Sequence, residues 1–99
     1  MVQLFNAKVL EIIEEAPEVK TFVLASPQDF SFIAGQFIML SFPGEKLAKA
    51  YSIASSPLKK GTIELTIKIE HYPGEELPKH LTPRLGRIEE EAELTIKGP

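Results

Sequence analysis

Nine residues, Thr62 to Glu70, alternate strictly between apolar and polar side chains. Ile63, Leu65, Ile67 and Ile69 fall on one side, and Thr62, Glu64, Thr66, Lys68 and Glu70 on the other. A period of two over this length, carried by Ile and Thr, specifies a half-buried antiparallel strand. One such strand needs partners that cover its apolar face, and the chain offers several. Phe37 to Phe42 is an apolar run bounded by Gly35 and by Pro43-Gly44, punctuation that favours a strand over a helix. Val19 to Ala25 reads the same way between Pro17 and Ser26-Pro27, followed by Lys49 to Ala54 and Ala92 to Lys97.

Two segments carry helical signals. Val9, Ile12, Ile13 and Ala16 have helical spacing, with the helix formers Glu11, Glu14 and Glu15 between them, so periodicity leaves Ala7 to Glu15 open between helix and strand. Leu77 to Leu85 contains Pro83 and is expected to form one or two helical turns at most. No repeat, linker or low-complexity tract interrupts the 99 residues, which have room for one domain, 1–99. Short strands with turn signals between them predict a small antiparallel barrel or sandwich.

Composition excludes several functions. There is no cysteine, hence no disulfide scaffold, thiolate metal site or cysteine nucleophile. His71 and His80 are too few for an imidazole metal cage. No apolar run approaches the ~20 residues of a membrane span, and the N-terminus lacks a signal-peptide pattern, so a soluble, cytoplasmic domain with no membrane partner is expected. A net charge of −3 argues against nucleic acid as a partner. Thirteen Glu against one Asp, and nine Lys against two Arg, match the Lys/Glu enrichment of hyperthermophiles and suggest a thermophilic habitat. The acidic run Glu89, Glu90, Glu91 with Glu93 reads as a solvated turn rather than a cation site. No nucleophile elbow, dinucleotide fingerprint or P-loop is present, and no catalytic residue or metal ligand is assigned.

Ala34-Gly35-Gln36-Phe37 is followed a dozen residues later by Lys49-Ala50-Tyr51-Ser52-Ile53-Ala54-Ser55-Ser56-Pro57. Next come the alternating strand, a glycine at Gly74, and Leu94-Thr95-Ile96-Lys97-Gly98-Pro99. In order and spacing this resembles the FAD-binding barrel of the ferredoxin–NADP reductase family, closest to flavin reductases and the electron-transfer subunits of oxygenases and hydrogenases. The resemblance runs from about Phe5 to Pro99. It implies an all-β fold, a six-stranded antiparallel Greek-key barrel with one short helix, and so makes the first segment a strand.

The family's first flavin motif, Arg-x-Tyr-Ser, matches Lys49-Ala50-Tyr51-Ser52. The resemblance implies that Tyr51 lies against the isoalloxazine ring, a stacking worth ~1–3 kcal/mol, and that Ser52 sits near flavin N5 and O4. An aromatic packed on a barrel face is the alternative reading of Tyr51. Lys49 departs from the family's arginine, replacing a planar fork by a point charge. Loss of one charged hydrogen bond costs roughly 1.5–3 kcal/mol, which implies loosely held flavin. The second motif, Gly-x-x-Ser-x-x-Leu, is matched only in part by Gly74-Glu75-Glu76-Leu77-Pro78-Lys79-His80-Leu81, one residue longer and without serine. Adenine-side contacts are therefore weakened and FMN stands as an alternative to FAD. Ile67, Lys68 and Ile69 lie where family strands offer backbone contacts.

In the family, the barrel is followed by a nucleotide-binding domain that takes NAD(P)H. With the sequence ending at Gly98-Pro99, the expectation is a flavin-binding electron-transfer module that needs a separate NAD(P)H-binding domain or other redox protein and consumes no NADH alone. A barrel that has lost flavin and acts as a regulatory or interaction subunit is the alternative.

Overall fold

The computed structural model describes residues 2–70 and 81–99. Among these, six strands and one short helix follow in the order β1 (Gln3–Ala16), β2 (Val19–Ala25), β3 (Phe37–Ser41), β4 (Ala48–Ser52), β5 (Thr62–Lys68), α1 (Leu81–Leu85) and β6 (Glu93–Gly98). All pairings are antiparallel, in the spatial order β4-β3-β6-β1-β2-β5. The crossovers give the expected Greek-key arrangement. Beyond the end of β4, Ala54 N–H donates to the Glu64 carbonyl of β5 at 2.8 Å, and Glu64 N–H donates to Ser55 Oγ at 3.0 Å. The two outer strands therefore meet at one point, and the sheet is a nearly closed barrel.

The first segment is strand throughout, and its helical spacing has a structural cause. β1 pairs with β6 from Gln3 to Lys8 and with β2 from Val9 to Ala16. The register with β2 slips between Val9 and Glu11 and again between Glu14 and Ala16. Each slip is a bulge that inserts one extra residue and bends the strand. Val9 and Ile12 thereby fall three apart, a spacing that in an unbulged segment marks a helix.

β5 buries the apolar face that its alternation predicts, with Ile63, Leu65, Ile67 and Ile69 each at most 5% exposed. The strand ends at Lys68, two residues earlier than the alternation. Ile69 remains against the core and its N–H donates to the Glu18 carbonyl at 2.6 Å. β3, β4 and β6 differ from their expected bounds by one or two residues at turns. Phe22, Leu24, Ile38, Leu40, Leu94 and Ile96 complete the interior from the facing strands. Fully burying one such side chain stabilises the fold by about 1.5–3 kcal/mol.

α1 adds Leu81 and Leu85 to the same core. Pro83 is accommodated because it stands in the first turn, where its missing N–H would have no helical partner. The rest of the segment expected to be helical, Leu77 to His80, lies outside the described residues. Three contacts fix α1 and the turn after it. Lys20 Nζ donates to the Gly86 carbonyl at 3.0 Å, Glu70 N–H donates to Thr82 Oγ1 at 3.1 Å, and Arg84 binds Glu45. Among the described residues, no helix is long and apolar enough to cross a membrane. The acidic turn is partly used by β1: Ile12 N–H reaches Glu90 Oε2 at 3.4 Å, and Lys8 pairs with Glu91 at 3.1 Å.

A candidate flavin site at the seam between two strands

β4 and β5 are the outer strands of the sheet, and their backbones face one another across a seam. Antiparallel pairing directs alternate residues toward and away from each neighbour. Ile53 N–H donates to the Gln36 carbonyl at 3.0 Å, so by alternation Lys49 and Tyr51 spend their backbone groups on β3. The N–H and C=O of Ala50 and Ser52 are thereby directed at the seam. On β5, the bond from Ile69 to Glu18 assigns Ile67 and Ile69 to β2, so Thr66 and Lys68 face the seam. The Ala54–Glu64 hydrogen bond closes this seam at one end.

Side chains follow the opposite alternation. Tyr51 and Lys49 share a face with their cross-strand partners Ile38 and Leu40, both fully buried. Tyr51 is half-buried against the core and Lys49 projects from it into solvent. Ala50 and Ser52 lie on the other face, both exposed, opposite Met39 and Phe37. Of the site residues expected from sequence, the structure therefore groups Lys49 and Tyr51 by side chain, and Ala50, Ser52 and Lys68 by backbone. Ile67 and Ile69 are turned away, with buried side chains and backbones given to β2. Thr66, which no sequence motif indicated, takes their place along the seam; its side chain is occupied by the Thr21 hydroxyl at 2.8 Å. Gly74 lies outside the described residues.

Glu70 is the further residue that sequence reasoning missed. Just beyond β5, its Oε1 lies 3.7 Å from Lys49 Nζ. Burial, and secondarily the negative charge of Glu70, pushes the Tyr51 hydroxyl up to about 12. That hydroxyl is buried and has no hydrogen-bond partner among the described residues. An aromatic platform with an unused polar tip, a basic side chain beside it and a row of backbone donors and acceptors match the needs of a flat, polar-edged ring carrying an anionic tail. The donor set fits a flavin nucleotide.

Comparison with known proteins decides the family. Residues 6–99 match the model of the oxidoreductase FAD-binding domain. The chain belongs to that family. The phenol hydroxylase P5 protein of Acinetobacter pittii is 38% identical over 68 residues, covering 69% of this chain and 19% of the relative. The glycine betaine monooxygenase reductase subunit of Pseudomonas aeruginosa is 32% identical over 96 residues, covering 93% and 25%. A probable electron transfer subunit of dihydroorotate dehydrogenase B from Methanocaldococcus jannaschii is 57% identical over 37 residues, covering 37% and 14%. The chain thus spans a quarter or less of the length of these three relatives. In fold it is similar to the ferredoxin reductase of carbazole 1,9a-dioxygenase, with a TM-score of 0.83 at 23% identity over 99% of this chain and 28% of that one. This is an oxidoreductase FAD-binding domain, and the relatives from Pseudomonas aeruginosa and Methanocaldococcus jannaschii are a reductase subunit and a probable electron transfer subunit. Family membership favours flavin binding over a barrel that has lost it.

Proposed function

We propose that the domain, residues 1–99, holds a flavin nucleotide along the β4–β5 seam and serves as the electron-transfer module of an oxidoreductase. The observation that carries this reading is the placement of Tyr51 and Lys49 on one face of β4 beside a seam lined by backbone groups of Ala50, Ser52, Thr66 and Lys68. Tyr51 supplies the ring platform. Ala50, Ser52, Thr66 and Lys68 offer donors and acceptors to the ring edge, with the Ser52 hydroxyl exposed beside them. Lys49 meets the phosphate as a point charge, which supports loose and reversible binding. A bound flavin supplies the exchange between two-electron and one-electron carriers. FAD is the ligand the family supports, and FMN is an alternative because the contacts named here reach no further than the ring and a phosphate.

The partner in this reading is a separate NAD(P)H-binding domain or another redox protein, as the reductase subunits among the relatives suggest. The test is a titration of the purified protein with FAD. A saturable change in visible flavin absorbance and fluorescence is expected, and its absence at high protein concentration would refute the reading.

A further inference from the structure

We propose that Glu70 determines how strongly and how selectively this site accepts a phosphate-bearing flavin, by holding Lys49 in the free protein and competing with the ligand phosphate for it. The inference rests on the site assignment above and adds a specificity-determining residue to it.

Lys49 is the only basic residue of β4. Arg84, the basic residue of α1, has both terminal guanidinium nitrogens engaged by Glu45, at 2.6 and 2.7 Å. Lys49 therefore carries the anion contact at β4, and its Nζ is already 3.7 Å from a carboxylate. Both side chains of that pair are close to half exposed, 48% and 44%, so an incoming ligand can reach them. An exposed pair of this kind is weak and readily exchanged.

Glu70 is tethered beside Lys49 through its backbone. Its N–H donates to Thr82 Oγ1 at 3.1 Å, and the same hydroxyl donates back to Glu70 Oε1 at 3.5 Å. Thr82 is 3% exposed and fixed in α1. The Glu70 backbone is thus anchored to α1, which keeps its carboxylate in the neighbourhood of the lysine. A ligand phosphate must displace it from Lys49 and then tolerate it nearby.

That cost depends on the charge of the ligand. The terminal phosphate of FMN is a monoester carrying about −1.5 to −2 at neutral pH. Each phosphate of the FAD pyrophosphate carries a single charge, and riboflavin carries none. Glu70 therefore penalises FMN most, FAD less and riboflavin least, biasing a site with a simple lysine toward the dinucleotide.

The experiment measures dissociation constants of riboflavin, FMN and FAD for the wild-type chain, Glu70→Gln, Lys49→Gln and the double variant, by flavin fluorescence and calorimetry. Gln keeps the backbone bond to Thr82 and can accept from its hydroxyl; thermal melts check the fold, and Glu70→Ala serves as a second variant. Glu70→Gln is expected to tighten FMN roughly three- to fivefold, FAD roughly twofold and riboflavin hardly at all. In the Lys49→Gln background the FMN gain should fall by at least half, the coupling that a merely structural role would not produce. Equal changes for all three ligands, or no change for FMN, would overturn the role of Glu70 while leaving the flavin site standing. Failure of the wild-type protein to bind any of the three would overturn the site and this inference together.

Discussion

Arg84 binds Glu45 through both terminal guanidinium nitrogens, at 2.6 and 2.7 Å, while its guanidinium carbon lies 4.2 Å from the centre of the Phe42 ring. The fork and the stacked plane together fasten α1 to the turn between β3 and β4, the turn that leads into Lys49 and Tyr51. The same contact removes Arg84 from the set of basic groups free to meet a ligand. Its pairing also explains why the carboxyl of Glu45 is held below the usual carboxylate range and the guanidinium is raised.

Replacing Arg84 by Gln removes the fork and the cation–π contact, the latter worth about 0.5–1 kcal/mol. For a domain of this size, about 1 kcal/mol corresponds to a shift of roughly 4–8 °C in Tm. The Arg84→Gln protein should melt a few degrees lower. The contribution of Glu45 is present above its ordinary carboxylate range and is lost as pH falls through its lowered value. The difference in Tm between wild type and Glu45→Gln should therefore shrink on acidification. A constant difference across that range would show that the ion pair contributes nothing.

Tyr51 should titrate abnormally. The chain has two tyrosines, so Tyr72→Phe leaves Tyr51 as the only phenol. Its native midpoint is expected near 12 against about 10 when unfolded. Because the folded value is the higher one, the unfolded chain loses its proton first, and stability falls as pH rises through the interval between the two. Near-ultraviolet phenolate absorbance gives the midpoints, and Tyr51→Phe should flatten the loss of stability. A native midpoint close to 10 would contradict the buried placement of the hydroxyl.

Gly98 ends β6 beside Ile38 of the neighbouring antiparallel strand β3. A Cβ there would lie 2.8 Å from Ile38 Cγ2 and 3.2 Å from Ile38 Cα, at a φ of +156°. The second distance involves backbone, which cannot rotate aside. Overpacking of this kind costs typically 1–3 kcal/mol. Gly98→Ala should lower Tm by roughly 5–15 °C, and an unchanged Tm would show that β3 and β6 have slack at this point.

Much of this architecture was legible in the chain because strand alternation and turn punctuation are local signals. β5 announces itself through four apolar residues at a period of two, and β2 and β3 through their flanking Pro and Gly. β1 was not legible from its pattern, since its two bulges turn a strand period into a helical one; the family resemblance supplied the correct answer. The candidate site was half legible. Lys49-Ala50-Tyr51-Ser52 is a motif within one strand, so its residues could be named in advance. Glu70 lies across the barrel in sequence and reaches Lys49 only through the fold, so no spacing rule pointed to it. Which residues of β5 face the seam depends on hydrogen-bond parity, which turns Lys68 and the unexpected Thr66 toward the seam and Ile67 and Ile69 toward β2.

The central claim is that Tyr51 and the β4–β5 seam hold the flavin. Titrating FAD into wild-type protein, Tyr51→Ala and the control Glu90→Ala, with fluorescence quenching as the signal, tests it directly. Loss of a stacking platform worth ~1–3 kcal/mol predicts at least about fivefold weaker binding for Tyr51→Ala, with Glu90→Ala indistinguishable from wild type. Equal affinity of all three proteins, or no saturable quenching by any of them, would contradict the account.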